Sequence, residues 1–246
     1  MPYSIQLYTV RTALEEDLAG TIRRLAEIGF TMVEPYHFVA KAAELQRAMA
    51  ENNLTAPSGH APLLSEDQDA IFTAAQQLGI GTVIEPYVPD ERWKTIEDVQ
   101  ETAQQLNAAA ARGTDYGIRV GYHNHWWEVE SVIDGKSALE HLADHLDPAV
   151  VLELDTYWAA VGGQDPAELL GRLGDRVRFI HIKDGPVTSD PASQLAVGDG
   201  RMPIWDVLDA AGSLEAGVVE LDDFQGDMFD AVRDSYNYLS AGKARA

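Results

Sequence analysis

Apolar and polar positions along this chain follow two alternating rhythms. Short runs rich in β-branched and aromatic residues read as strands at 4–8, 31–35, 54–59, 82–86, 118–124, 150–155, 176–183 and 217–221. Segments of helical spacing separate them, at 15–28, 39–51, 65–78, 91–112, 136–146, 166–173, 203–211 and 228–239. In the first helix Leu18, Ile22 and Leu25 fall on one face, and Gly29 stops it. In the fourth, Ile96, Val99, Ala103 and Leu106 align ahead of Gly113. Asp165-Pro166 reads as a cap followed by a first-turn proline. The third strand is the weakest by propensity, because it contains Pro57 and ends on Gly59.

Eight strand-then-helix units without a long linker imply one domain over 1–246. Successive strand–helix–strand crossovers are right-handed and build a parallel sheet. Eight of them can close, so the fold class is α/β, a single-domain (β/α)8 TIM barrel with its site at the C-terminal ends of the strands. An open dinucleotide-binding sheet would carry a glycine-rich turn after the first strand, where Tyr8-Thr9-Val10-Arg11 stands instead.

Several strands begin apolar and finish on ionisable groups. The strand around Phe179 and Ile180 ends in His181 and Lys183, which share a face by the period of two. The sixth ends in Asp155, and the eighth leads to Glu220 and Asp222. With Gln6, Glu34, His60, Glu85, His123 and His125 these are the candidate mouth residues. So many ionisable groups in one concavity are costly unless they bind something. Asp155, His181 and Glu220 offer one imidazole and two carboxylates, a set suited to Mn2+, Zn2+, Fe2+ or Mg2+ more than Ca2+. Each acid alone can equally cap the helix that follows it.

Composition narrows the partners. Eighteen Lys and Arg stand against forty Asp and Glu, a formal net charge of −22. Such a surface repels nucleic acid and anionic membranes. There is no cysteine, hence no disulfide and no thiol nucleophile. The amino terminus lacks a basic and apolar leader pattern, and no apolar run is long enough to span a bilayer, so a cytoplasmic protein is expected. Arg11, Arg201 and Lys183 are scattered rather than clustered, which favours a non-phosphorylated substrate. His141 and His145 read as helix-surface residues.

Four pieces in order resemble the sugar phosphate isomerase/epimerase superfamily, the xylose isomerase-like barrels that include ketose epimerases and inosose dehydratases. They are Tyr122-His123-Asn124-His125-Trp126-Trp127-Glu128, Leu154-Asp155-Thr156-Tyr157-Trp158, His181-Ile182-Lys183-Asp184, and Val197-Gly198-Asp199-Gly200 ahead of Val219-Glu220. The resemblance implies a divalent metal, Mn2+ first, held by His123, Asp155, His181 and Glu220. The commoner pattern reads Glu-Asn-His where this chain reads His-Asn-His, so His123 stands where a second carboxylate is expected. The resemblance also implies substrate contacts from Glu128 and His60, and barrels that assemble as homo-oligomers.

The expected chemistry is isomerisation or epimerisation of a small carbohydrate by proton abstraction beside a carbonyl. Glu220 would be the base, His123 a ligand or second proton carrier, and Lys183 an oxyanion partner. Lys183 can equally point outward to Asp184. Trp126, Trp158, Trp127, Tyr8 and Tyr87 offer flat walls for sugar C–H faces, and Glu85 a further polar contact. Histidine in place of one glutamate also fits β-elimination from a 3-keto-sugar or keto-inositol. A non-catalytic barrel subunit is the reading of a different class.

Overall fold

The computed structural model describes residues 2–243. Its frame is eight parallel strands: β1 (Tyr3–Gln6), β2 (Met32–Glu34), β3 (Ser58–His60), β4 (Thr82–Glu85), β5 (Arg119–His123), β6 (Val151–Asp155), β7 (Val177–Ile182) and β8 (Ala216–Val219). They pair in the order β2-β1-β8-β7-β6-β5-β4-β3. Between β2 and β3 the ladder thins to isolated bridges, Met32 with Thr55 and Tyr36 with His60. Backbone bonds still cross the seam: Val33 N–H donates to Thr55 O at 2.9 Å and His60 N–H to Pro35 O at 2.8 Å. Pro35 and Pro57 lie on the two sides and have no N–H to give, so a regular ladder cannot form there. The result is a nearly closed (β/α)8 barrel.

Helices pack on the outer faces of the strands. Val33, Val83, Val120, Leu152, Leu154 and Ile180 meet Ile22, Leu25, Phe72, Val99, Leu106 and Leu142 in the main apolar core. A smaller cluster of Ile84, Val151, Phe179, Ala216 and Val218 plugs the barrel interior. Gly121 on β5 belongs beside this plug, since a Cβ there would lie 2.5 Å from Ile84 Cδ1. Above the plug the interior turns polar, and that layer carries the site.

The helices differ from expectation in instructive places. The first is broken at Asp17, whose side chain accepts from Gly20 N–H at 2.9 Å and caps Leu18–Ile28. The expected 91–112 helix splits into a short 3-10 turn, Asp90–Trp93, and Ile96–Thr114, which opens on a Thr95–Asp98 capping box. The third strand lies later than expected, at Ser58–His60. Additional elements include the turn Trp127–Glu130, the hairpin Val132–Ile133 with Lys136–Ser137, and the helix Thr156–Val161.

Candidate metal centre and active site

The ends of β5 to β8 bring four of the expected groups together. Asn124 ties β5 to β6, because its Oδ1 accepts from Asp155 N–H at 3.0 Å. Asp155 divides its oxygens. Oδ1 caps the helix Thr156–Val161 by accepting from Trp158 N–H at 2.8 Å, while Oδ2 is buried without a hydrogen bond. Oδ2 lies 3.9 Å from His181 Nδ1 and 3.9 Å from His123 Nε2. His181 Nδ1 in turn lies 2.6 Å from Glu220 Oε2. One ligand atom from each of His123, Asp155, His181 and Glu220 lies within 4.8 Å of the others, and all four residues are buried.

Lys183 points inward, and the outward pairing with Asp184 is not what the structure has. Its ammonium lies 3.0 Å from Asp155 Oδ2, 2.8 Å from Glu220 Oε2 and 2.7 Å from Asp222 Oδ2. Asp184 does different work. Its carboxylate accepts from the N–H groups of Gly185, Met202 and Gly198 at 2.8, 3.0 and 2.9 Å. That knots the loop after β7, from which Gln194 reaches Asp222, donating through Nε2 and accepting through Oε1.

One layer lower is a polar floor with a residue the sequence reading passed over, Glu153. It is fully buried. Its Oε2 lies 2.6 Å from His60 Nε2, 3.1 Å from His181 Nε2 and 3.3 Å from His123 Nδ1. Glu34 joins it from β2: Gln6 Nε2 donates to Glu34 Oε1 at 2.8 Å, Ser58 Oγ donates to Oε2, and His181 Nε2 lies 2.9 Å from Oε1. The signal was present, since the period of two that directs Asp155 inward directs Glu153 inward as well.

These contacts set the protonation states. Burial pushes Glu220 up, but Lys183 and His181 outweigh it and hold its carboxyl well below the usual range. Burial opposes charge on His181, yet Glu153 and Glu220 keep it far above an ordinary histidine. Burial, with His181 nearby, pushes His123 down to about 3, so its imidazole is neutral at pH 7. His125 is lowered for the same first reason, with His123 next. Burial lifts Asp155 to about 6 against Lys183 and His181.

A cleft of about 250 Å3 opens over this set, lined by Tyr8, Tyr36, His37, His60, Pro86, Tyr87, His123, His125, Glu220 and Asp222. His60, Tyr8 and Tyr87 are therefore on its wall. Several other expected contacts are not. Glu128 is fully buried, accepting from Tyr122 O–H at 2.6 Å and His125 N–H at 2.9 Å. It fixes the loop that carries His125 instead of facing the cleft. Glu85 follows the inward-facing Ile84 and accepts from Leu64 and Tyr87 N–H at 2.9 and 3.1 Å. Trp126 and Trp158 pack on each other behind the wall, tilted by 54° with centroids 4.9 Å apart. Trp127 backs His125, stacked at 4.3 Å. His37 reaches the cleft through a left-handed backbone (φ 41°).

The strand-end set fits a divalent ion. It offers two imidazoles and two carboxylates, all buried, with Asp155 Oδ2 beside the Lys183 ammonium, and these are donor types that Zn2+, Mn2+ and Fe2+ accept. The model for xylose isomerase-like TIM barrels matches residues 22–239. The chain belongs to that family. Among curated relatives, an inosose dehydratase of Geobacillus kaustophilus is 33% identical over 96 residues, covering 39% of this chain and 28% of that protein. An inosose dehydratase of Lacticaseibacillus casei is 25% identical over 177 residues, covering 63% of this chain and 56% of its own. The chain thus spans little more than half the length of these relatives at most. Solved structures of the same fold include a sugar phosphate isomerase/epimerase from Parabacteroides distasonis, with TM-score 0.82, 20% identity and 99% of each chain covered. Another is the IOLI protein with a binding zinc atom, with TM-score 0.75, 12% identity, and 98% and 97% coverage.

Proposed function

We propose that this chain is a metal-dependent carbohydrate lyase that removes water from a keto-sugar or keto-inositol by β-elimination. The observation that carries this reading is the asymmetry of the cleft. Glu220 is ionised and lines one side, whereas the groups at 123 and 125 are neutral imidazoles. The other carboxylate on the wall, Asp222, is already engaged by Lys183 and Gln194. Glu220 is itself paired through Oε2 with His181 and Lys183, and its other oxygen serves an elimination in which the same group acts first as base and then as acid.

Glu220 takes the proton from the carbon beside the carbonyl. The electron pair of that C–H bond becomes the C=C bond as the C–O bond to the β-hydroxyl breaks. Glu220 then gives its proton to the departing oxygen, so water leaves and the carboxylate is restored. Lys183, 2.8 Å from Glu220, keeps that carboxyl ionised at the start. His125, held by Trp127 and Glu128, presents a neutral ring to the substrate oxygens. Tyr8, Tyr36 and Tyr87 bound the cleft with flat faces suited to sugar C–H groups. A divalent ion held by Asp155, His181 and Glu220 with His123 would supply Lewis acidity toward the carbonyl oxygen.

Isomerisation is the second reading, and neutral His123 facing the same space favours it as a second proton carrier. Incubation with Mn2+ or Zn2+ and keto-sugars or keto-inositols in D2O separates the two. Loss of water to give an enone is the expected result. An isomer of unchanged formula carrying solvent deuterium would replace elimination with isomerisation. Glu220→Gln should lower kcat by about 10²–10⁴-fold in either case.

A further inference from the structure

The floor beneath the strand ends has more negative charge than its hydrogen bonds account for. Asp155, Glu220 and Asp222 surround Lys183, and Glu34 and Glu153 lie one layer down against His60 and His181. Five carboxylates against one ammonium must be neutralised by protons on His60 and His181 or by cations, because the interior is of low dielectric. A divalent ion at the strand ends would take His181 Nδ1 in place of its proton and serve the upper layer. The lower layer is then left to Glu34 and Glu153, both fully buried.

The geometry of Glu153 shows what could meet it. Its Oε2 faces three imidazole nitrogens, of His60 at 2.6 Å, His181 at 3.1 Å and His123 at 3.3 Å. One carboxylate oxygen has two lone pairs, so it cannot accept from all three. His123 Nδ1 is indeed buried without a hydrogen bond, and so is Glu153 Oε1. Ligand atoms of His60, His123, Glu153 and His181 nevertheless lie within 4.8 Å of one another. His181 has one ring for two layers. If Nδ1 serves the strand-end ion, Nε2 keeps its proton and donates downward to Glu34 Oε1 at 2.9 Å. A neutral imidazole ligates through one nitrogen, so with the floor filled His123 serves it through Nδ1 and the strand-end ion keeps Asp155, His181 and Glu220. His60, His123 and Glu153 are then the donor set of the floor.

We propose that the barrel floor is a second cation site, in which His60, His123 and Glu153 hold a divalent transition ion one layer below the strand-end centre. Three donors of mixed nitrogen and oxygen type suit zinc, iron or manganese, and lack the oxygen-only shell that calcium prefers. The site accounts for histidine at 123. A glutamate there would add a sixth carboxylate to the cluster, whereas an imidazole offers Nδ1 to the floor.

The test is metal stoichiometry by elemental analysis on the full chain, loaded with Zn2+ or Mn2+ and desalted. About two equivalents per chain are expected, falling to about one in His60→Gln and in Glu153→Gln. Asp155→Asn should also retain about one, held by the floor. A wild-type chain that binds one equivalent or none overturns the proposal, as does a His60→Gln chain with undiminished metal. The floor is then neutralised by protons on His60 and His181. Far-UV circular dichroism checks that each variant is folded. If Glu153→Gln is not, anomalous scattering from zinc in wild-type crystals decides, with two peaks expected and a single one contrary. The readout is metal content, so it can fail while the proposed elimination stands, and the reverse.

Discussion

Lys183 decides the electrostatics of the mouth. It is almost completely buried, and its ammonium lies within 3.0 Å of three carboxylates. Breaking such a buried network by removing one partner costs about 3–5 kcal/mol, because the remaining charges are left uncompensated. Lys183→Met should therefore destabilise the chelator-treated protein by about that amount in urea titrations. Divalent ion should restore more stability to the variant than it adds to the wild type, since a cation at Asp155 and Glu220 replaces the missing charge. Equal effects of metal on both proteins would mean that the lysine and the ion do not share those oxygens. At this scale the sequence was readable where side-chain period and strand end coincided, as for Asp155, His181 and Glu220. Glu128 and Glu85 look equally chemical on paper, but whether an acid faces the cleft or holds a loop depends on strand phase and on a turn, Trp127–Glu130, too short for periodicity to reveal.

The loop after β7 is the element with most leverage on these residues. Asp184 anchors it through three backbone N–H groups, and Gly200 packs so closely on that carboxylate that a Cβ has no room. Asp184→Ala removes the acceptor from three backbone donors at once, two of them in buried bonds. Bonds to a charged group contribute about 1.5–3 kcal/mol each, not additively, so a loss of about 3 kcal/mol is expected. Proteolysis within 185–202 should quicken, and Gln194 should lose its hold on Asp222. Unchanged cleavage there would mean that the loop is fixed by its apolar contacts alone. All eight strands were legible as elements, seven of them bounded by apolar runs and breakers, while the third, interrupted by Pro57, lies later than expected at Ser58–His60. The break at Asp17 was not, nor was the helix Thr156–Val161. In each an aspartate side chain starts a helix that the hydrophobic pattern alone would merge or miss. Closure between β2 and β3 depends on bridges around two prolines, which no local pattern encodes.

Across the whole molecule, buried acids set how the fold responds to pH. Burial raises Glu128 from 4.5 to about 8 and Glu85 from 4.5 to about 7. A carboxyl with a raised folded-state pKa contributes its stability fully below the unfolded value and loses it as pH rises toward the folded one. Above pH 6.5 the histidines add to this trend. His60 and His181 are raised, so the stability that comes with their protons also disappears on the way up. His123 and His125 are lowered, so they act below pH 6.5, where the unfolded chain takes protons that the folded one refuses. The chelator-treated chain should therefore lose stability as pH rises from 6.5 to 8. Glu128 alone accounts for about 2 kcal/mol of that fall, from 1.5 pH units at 1.36 kcal/mol each. Glu128→Gln keeps the side-chain shape and an acceptor for Tyr122 or His125 while removing the titration. Urea midpoints at pH 6.5, 7 and 8 should descend less steeply in the variant by about that amount. Parallel descents in the two proteins would show that Glu128 is ionised throughout, its bonds to Tyr122 and His125 outweighing the cost of burial.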